Sequence, residues 1–175
     1  MEFEAFPKIA RLSRDCIVTE KIDGTNAQIF IGENGEFLTG SRTRWITPQD
    51  DNFGFSKWAH ENKDELLTLG AGRHFGEWWG QGIQRNYGMN KKVFSLFNAV
   101  RWEKSCPSCC SVVPILWNGD FSLLDVGLVM SKLKQFGSKA SPNFMNPEGI
   151  VIYHTAANIG FKKTFEKDNT GKWDK

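Results

Sequence analysis

Thr19-Glu20-Lys21-Ile22-Asp23-Gly24-Thr25-Asn26 decides how the rest of the chain is read. It sets Lys-x-Asp-Gly between two apolar segments, Ile17-Val18 before and Ala27-Gln28-Ile29-Phe30-Ile31 after. Alternation of that kind predicts two strands joined by a loop, with Gly24 allowing a tight backbone path. A lysine at the end of a strand is a nucleophile when its amine is neutral. A free lysine, with a pKa near ~10.4, is almost wholly protonated at neutral pH. Burial and neighbouring cations shift a lysine towards the neutral form. Taken alone, Lys-x-Asp-Gly also describes a solvated turn, so its meaning rests on its surroundings.

The chain has 175 residues, the length of one domain. Apolar residues make up 40%, and seven Trp with fourteen Phe supply a core. A net charge of +2 is too mild to indicate nucleic-acid binding by itself, so any such function needs a local basic groove. No apolar run is long enough to span a membrane. Met1-Glu2-Phe3-Glu4 lacks the basic-then-apolar pattern of an export signal. The four Cys are then expected as reduced thiols in a cytoplasmic protein.

Outward from the lysine, residues 3–12 form a mixed apolar and basic lead-in. Asn34-Gly35 predicts a tight hairpin turn, with a return strand over 37–41. Helical spacing of Phe55, Trp58, Ala59, Leu66 and Leu69 predicts one helix over 55–69, stopped by Gly70-Ala71-Gly72. Strands are expected over 74–79, 92–102 and 111–117, with a polar loop over 81–90. A second helix is expected over 121–136, with Leu124, Leu128 and Leu133 partly inward, and a last strand pair over 149–154 and 159–165. The charged tail 166–175 is expected to fray. These elements give an α+β class with an antiparallel sheet core, in a single domain spanning 1–175.

Five further pieces join the lysine stretch. They are Ser41-Arg42-Thr43-Arg44, Phe75-Gly76-Glu77-Trp78-Trp79-Gly80, Phe94-Ser95-Leu96-Phe97-Asn98, Pro147-Glu148-Gly149-Ile150-Val151-Ile152 and Gly160-Phe161-Lys162-Lys163-Thr164-Phe165. In this order the set resembles the covalent nucleotidyltransferases: ATP-dependent RNA ligases, DNA ligases and messenger-RNA capping enzymes. The likeness covers about residues 3–165 and looks nearest to small, phage-type RNA ligases used in nucleic-acid repair. It departs at three places. Lys162 and Lys163 are adjacent where the family alternates Lys-x-Lys, Trp78 stands where an aliphatic residue is usual, and Asn98 stands where many ligases have Asp. Which of the two lysines meets a phosphate is left open. No OB-fold domain is expected after the lysine pair, which favours RNA ligase over DNA ligase or capping enzyme.

The resemblance implies an antiparallel-sheet, ATP-grasp-like adenylation domain. It implies that Lys21 attacks the α-phosphorus of ATP to form lysyl-AMP, and that the adenylate passes to a 5′-phosphate end. A 3′-hydroxyl then seals the strand and releases AMP. Chemistry of this kind rests on positioning and charge neutralisation. The ATP-binding residues implied are Glu20, Lys21, Asn26, Arg42, Glu77, Phe97, Glu148, Lys162 and Lys163, with Glu148 and Asp23 at a Mg2+ or Mn2+ ion. Phe97 would stack on adenine, or else be a core residue of its strand. Glu77 would accept from the ribose, and Arg42 would contact a phosphate. The partners implied are nucleic-acid strand ends, RNA ahead of DNA, met by a monomer with no membrane contact.

Two other functions stay open: a minimal DNA ligase or GTP-using capping-type enzyme, and a non-catalytic module that binds nucleic-acid ends. Cys106-Pro107-Ser108-Cys109-Cys110 looks like half of a zinc knuckle, but only Cys16 remains to complete it and no His lies near. These are read as ordinary thiols.

Overall fold

The computed structural model describes residues 1–166 and Asp168. The tail expected to fray lies outside the described residues apart from Glu166 and Asp168. Two antiparallel sheets carry the fold, with one parallel pairing at an edge. They are built from β1 (Asp15–Lys21), β2 (Thr25–Ile31), β3 (Phe37–Gly40), β4 (Trp45–Ile46), β5 (Gly72–Gly80), β6 (Lys92–Leu96), β7 (Ser111–Val112), β8 (Ile115–Asp120), β9 (Gly149–His154) and β10 (Ile159–Thr164). The four-stranded sheet has the order β10-β9-β1-β8, and the six-stranded sheet β4-β3-β2-β5-β6-β7.

The two strands flanking the lysine loop therefore belong to different sheets. β1 pairs with β8 and β9, and β2 pairs with β3 and β5. Residues 22–24 cross from one sheet to the other, and Lys21 sits where they part. The strand expected over 111–117 makes the second crossing. It breaks at Val113-Pro114, since Pro114 has no N–H to give to a ladder. β7 stays with β6, while β8 joins β1.

Each sheet buries one face. In β1, Cys16 and Val18 point with Ile150 and Ile152 of β9 onto Val129, Met130 and Leu133. Those three lie on the buried stripe of a helix, α4 (Val126–Phe136). The six-stranded sheet turns Ala27, Ile29, Trp78, Phe94 and Leu96 onto Phe55, Ala59 and Leu66. A third cluster of Ile22, Trp79, Tyr87, Ala99 and Val113 packs between the sheets. Burying one aliphatic side chain such as Ile22 contributes about 1.5–3 kcal/mol. The crossing is thus pinned directly beside the lysine.

The expected helix over 55–69 is divided into α1 (Phe55–Glu61), α2 (Lys63–Leu66) and a 3-10 turn, Leu67–Leu69. Asn62 interrupts it: its side-chain amide donates to the Trp58 carbonyl at 2.8 Å, beside its own backbone N–H at 3.1 Å. The strand expected over 92–102 stops at Leu96. The chain then coils into a short helix, α3 (Ala99–Trp102), which buries Trp102 against His74 at 5.5 Å between ring centres. In the 121–136 segment the helix starts only at Val126, capped by Asp125, which accepts from Leu128 N at 2.9 Å. Leu133 is buried there, Leu124 is half-buried, and Leu128 faces solvent at 51% exposure. Among the described residues no helix is long and apolar enough to cross a membrane.

Candidate active site

A cleft of about 800 Å³ opens between the sheets, and Lys21, Asn26, Arg42, Glu77, Phe97 and Lys162 all line it. Lys21 ends β1 with its side chain 25% exposed. Its Nζ donates to Glu148 Oε2 at 2.6 Å, and Glu148 is itself only 18% exposed. Register explains the meeting: Lys21 pairs with Gly149, the residue after Glu148.

The lysine loop is fixed from the opposite wall. Glu77 on β5 accepts from Gly24 N and from Asn26 Nδ2, each at 3.1 Å. Gly24 is required there by close approach. A Cβ would lie 2.5 Å from the Trp78 carbonyl oxygen and 2.7 Å from Trp79 Cβ. Burial pushes the Glu77 carboxyl up to about 7; the Lys21 charge and the Gly24 N–H pull it down, while Glu148 and Asp23 push it further up.

The register settles how the two adjacent lysines face. Lys162 pairs with Val151, which pairs with Thr19, so it shares a face with Lys21 and looks into the cleft. Lys163 pairs with Ile150 and donates to Asp168 at 2.8 Å. Thr164 stands where an alternating motif would place its second lysine.

Two of the sequence-predicted residues have other partners. The Glu20 carboxylate is buried away from the cleft. It accepts from Ser138 Oγ at 2.6 Å, Lys139 N at 2.7 Å and Ala140 N at 3.0 Å. Burial raises its pKa and these donors lower it in part. Glu20 thus reaches the cleft through its backbone, not through its carboxylate. The reason is alternation: one residue before Lys21 means the opposite face of β1. Asp23 accepts from Arg85 Nε at 3.0 Å. Phe97 is 41% exposed on the cleft wall, so it is no core residue.

Sequence reasoning missed Arg85 and Tyr87, which sit in the segment read only as a polar loop. Tyr87 is buried against Trp79 and Phe144, and its hydroxyl accepts from Asp23 N at 2.9 Å. Arg85 also donates to the Asn146 carbonyl at 3.4 Å and to Glu166 at 3.2 Å. One guanidinium thus ties the lysine loop to the segment that carries Glu148. The available signal was three apolar or aromatic residues, Ile83, Tyr87 and Met89, inside the stretch read as a polar loop. Arg44, from the same stretch as Arg42, is paired with Asp50.

No group of three His, Cys, Asp or Glu side chains able to hold a metal forms among the described residues. Cys106, Cys109 and Cys110 pack against the core of the six-stranded sheet, and burial raises the pKa of each thiol.

Comparison with known proteins gives the family and the fold. The RNA ligase family pattern matches residues 14–173. No match is found among curated proteins. Among solved structures, an RNA ligase of Naegleria gruberi with PPi is similar at a TM-score of 0.65 and 19% identity, over 87% of this chain and 50% of that one. A point mutant of the same ligase with ATP and Mn gives 0.65 and 20%, over 89% and 51%. Another, with AMP and Mn, gives 0.65 and 19%, over 87% and 50%. The chain spans about half the length of the solved structures it resembles. Its sequence, two-sheet fold and lysine cleft together place it in the RNA ligase family.

Proposed function

We propose that this chain is the adenylating part of an ATP-dependent RNA ligase, with Lys21 as its nucleophile. The observation that carries the reading is the Lys21–Glu148 pair at 2.6 Å, with Lys21 lining a cleft that Glu77, Asn26 and Phe97 also line. Once the Lys21 ammonium has given a proton to solvent, its Nζ forms a bond to the α-phosphorus of ATP, the bond from that phosphorus to the bridging oxygen of the β-phosphate breaks, and pyrophosphate leaves. An oxygen of the RNA 5′-phosphate then takes the adenylate from Lys21. Last, a 3′-hydroxyl attacks that phosphate and expels AMP. RNA is the substrate ahead of DNA, and the protein works as a monomer in the cytoplasm, a setting that suits four unpaired thiols.

Each residue has a task in this scheme. Glu77 holds Gly24 and Asn26, so the loop after Lys21 keeps one shape as the lysine attacks. Phe97 offers its exposed face to adenine. Arg42 and Lys162 approach phosphates from opposite walls, where charge builds up in the transition state. Asp23, held by Arg85, positions the loop. Glu148 is the oxygen donor best placed for Mg2+ or Mn2+. The chemistry of the donor set fits an ion that arrives with the nucleotide, since Mg2+ binds through one or two carboxylates plus phosphates and water. Such an ion supplies neutralising charge at the phosphates. Glu148 would hold such an ion, and Lys21 would then no longer be confined to its ion pair with that carboxylate.

The test is intact-mass measurement after incubation with ATP and Mg2+, with GTP in parallel. One AMP is expected, stable to denaturation, and absent from both Lys21→Ala and Lys21→Arg. The arginine variant fails because a guanidinium stays protonated. Full labelling of Lys21→Ala at another residue, or a GMP adduct in place of AMP, overturns the reading.

A further inference from the structure

The six-stranded sheet has a second feature on its cleft side, beyond the cleft itself. Along β5, Arg73, Phe75 and Glu77 share one face, and their partners on β2 are Phe30, Gln28 and Asn26. Glu77 and Asn26 belong to the cleft; Arg73, Phe75, Phe30 and Gln28 continue the same face away from it. Gln28 pairs with Gly40, and Gly40 with Trp45 of β4, so Trp45 joins this face too. The other face of the sheet is covered by α1 and α2, but this one is open: Trp45 is 44% exposed and Phe75 51%.

The open face is an ordered layer. The Arg73 guanidinium carbon lies 5.1 Å from the Phe30 ring centre and 5.2 Å from the Trp45 ring centre. The two rings are 6.4 Å apart and inclined at 55°. Arg73 Nη1 donates to Gln28 Oε1 at 3.2 Å, and Gln28 Nε2 donates to the Ser41 carbonyl at 3.3 Å, next to Arg42. Arg73 makes no ion pair among the described residues, unlike Arg44 beside it. A guanidinium lying over two aromatic rings, with no ion pair among the described residues, suits a partner with flat rings and negative charge.

Resting on the ligase reading above, we propose that this face is a stacking platform for unpaired nucleotides of the RNA strand whose end lies in the cleft. Unpaired bases stack on exposed rings such as Trp45 and Phe75, and Arg73 meets the backbone phosphates between them. From β4 to β5 there are three inter-strand spacings of about 4.8 Å, or roughly 14 Å, enough for a short run of nucleotides. The platform is continuous with the cleft: Phe75 is two residues from Glu77, and Gln28 two from Asn26. A base-paired strand offers no free base faces, so the platform selects single-stranded over duplex RNA. It also adds one cation, Arg73, with no ion pair among the described residues, on the face that continues the cleft.

The test uses the full chain, a fluorescent 5′-phosphorylated single-stranded RNA oligomer, the same sequence as a blunt duplex, and the DNA equivalent. Self-adenylation with ATP is measured on every variant. Trp45→Ala and Arg73→Ala should each weaken single-stranded RNA binding by about tenfold, leave duplex binding unchanged and keep adenylation within about twofold. Arg73→Lys should recover part of the affinity, since it restores charge but not the flat stack. Intact adenylation with unchanged RNA affinity in both alanine variants overturns the platform alone. So does equal loss for the duplex, tighter binding of the DNA strand, or dimerisation of the wild type that Trp45→Ala abolishes. No adenylation in the wild type overturns the ligase reading instead, whatever the oligomers do.

Discussion

The two walls of the cleft are built in opposite ways. The four-stranded sheet contributes charge from its margins: Lys21 at the end of β1, Glu148 just before β9, and Lys162 on the edge strand β10. The six-stranded sheet contributes Glu77 and Asn26 from neighbouring central strands, β5 and β2, over a core of Trp78, Phe55, Trp58 and Phe94. One wall can exchange partners, because Lys21 and Glu148 are ion-paired and partly exposed. The other holds a shape, because its carboxylate is buried and bound by two donors of the lysine loop. A group-transfer enzyme needs both, since the lysine has to be released while its loop stays still.

The largest effect should come from the exchanging wall. Glu148→Ala removes the partner of Lys21 and the proposed metal donor together, so adenylation should fall on the order of 10²-fold or more. Raising Mg2+ or replacing it with Mn2+ should recover part of the loss. Adenylation rates across a metal series check this. Near-normal rates would reduce Glu148 to a resting counter-ion and remove the contrast between the walls.

The shape-holding wall should respond in stability and pH. Glu77→Gln keeps the volume, and Asn26 can turn its carbonyl to meet the new amide. The Glu77 pKa is raised on folding from an ordinary 4.5 to about 7. The stability linked to this group is therefore full below pH ~4.5 and lost as pH rises through ~7. The wild type should lose up to about 3 kcal/mol relative to Glu77→Gln across that window. Urea unfolding of both proteins from pH 4.5 to 8 measures the difference. A constant difference would mean that Glu77 is ionised throughout, and that the wall is held by charge instead of by burial.

Much of this was readable from the chain. The strand-loop-strand around Lys21 and the Asn34-Gly35 hairpin follow from local pattern, and Glu77 and Glu148 were singled out through the family resemblance. The assignment of β1 and β2 to separate sheets does not, because local pattern around a short loop looks the same whether the strands pair with each other or with distant partners. Pairing with β8 and β9, more than ninety residues away, decides it. Alternation along β1 does put Glu20 on the face opposite Lys21, but its partner Ser138, like the Asp23 partner of Arg85, left no mark in the sequence. The end of β6 was missed because Phe97 and Asn98 continue its alternation, while the Asn98 carbonyl accepts from Arg101 N and Trp102 N and so turns the chain into α3.

The smallest expected effect belongs to Lys163, and it sharpens the contrast most. Lys162 and Lys163 are neighbours of equal charge, and composition gives no reason to separate them. Strand alternation does: Lys162 shares a face with Val151, Thr19 and Lys21, while Lys163 lies on the face of Ile150 and Val18. Its amine is held by Asp168 at 2.8 Å, and that carboxyl sits below its usual range through this bond and the Thr164 N–H. Exposed pairs of this kind add little to stability and are weakened by salt. Lys163→Ala should therefore adenylate within about twofold of the wild type, and its thermal midpoint should move by no more than about 2 °C. Lys162→Ala should behave like Glu148→Ala in the same assay, with a loss on the order of 10²-fold. The reverse ranking would mean that β10 slips by one residue when nucleotide binds, exchanging its two faces.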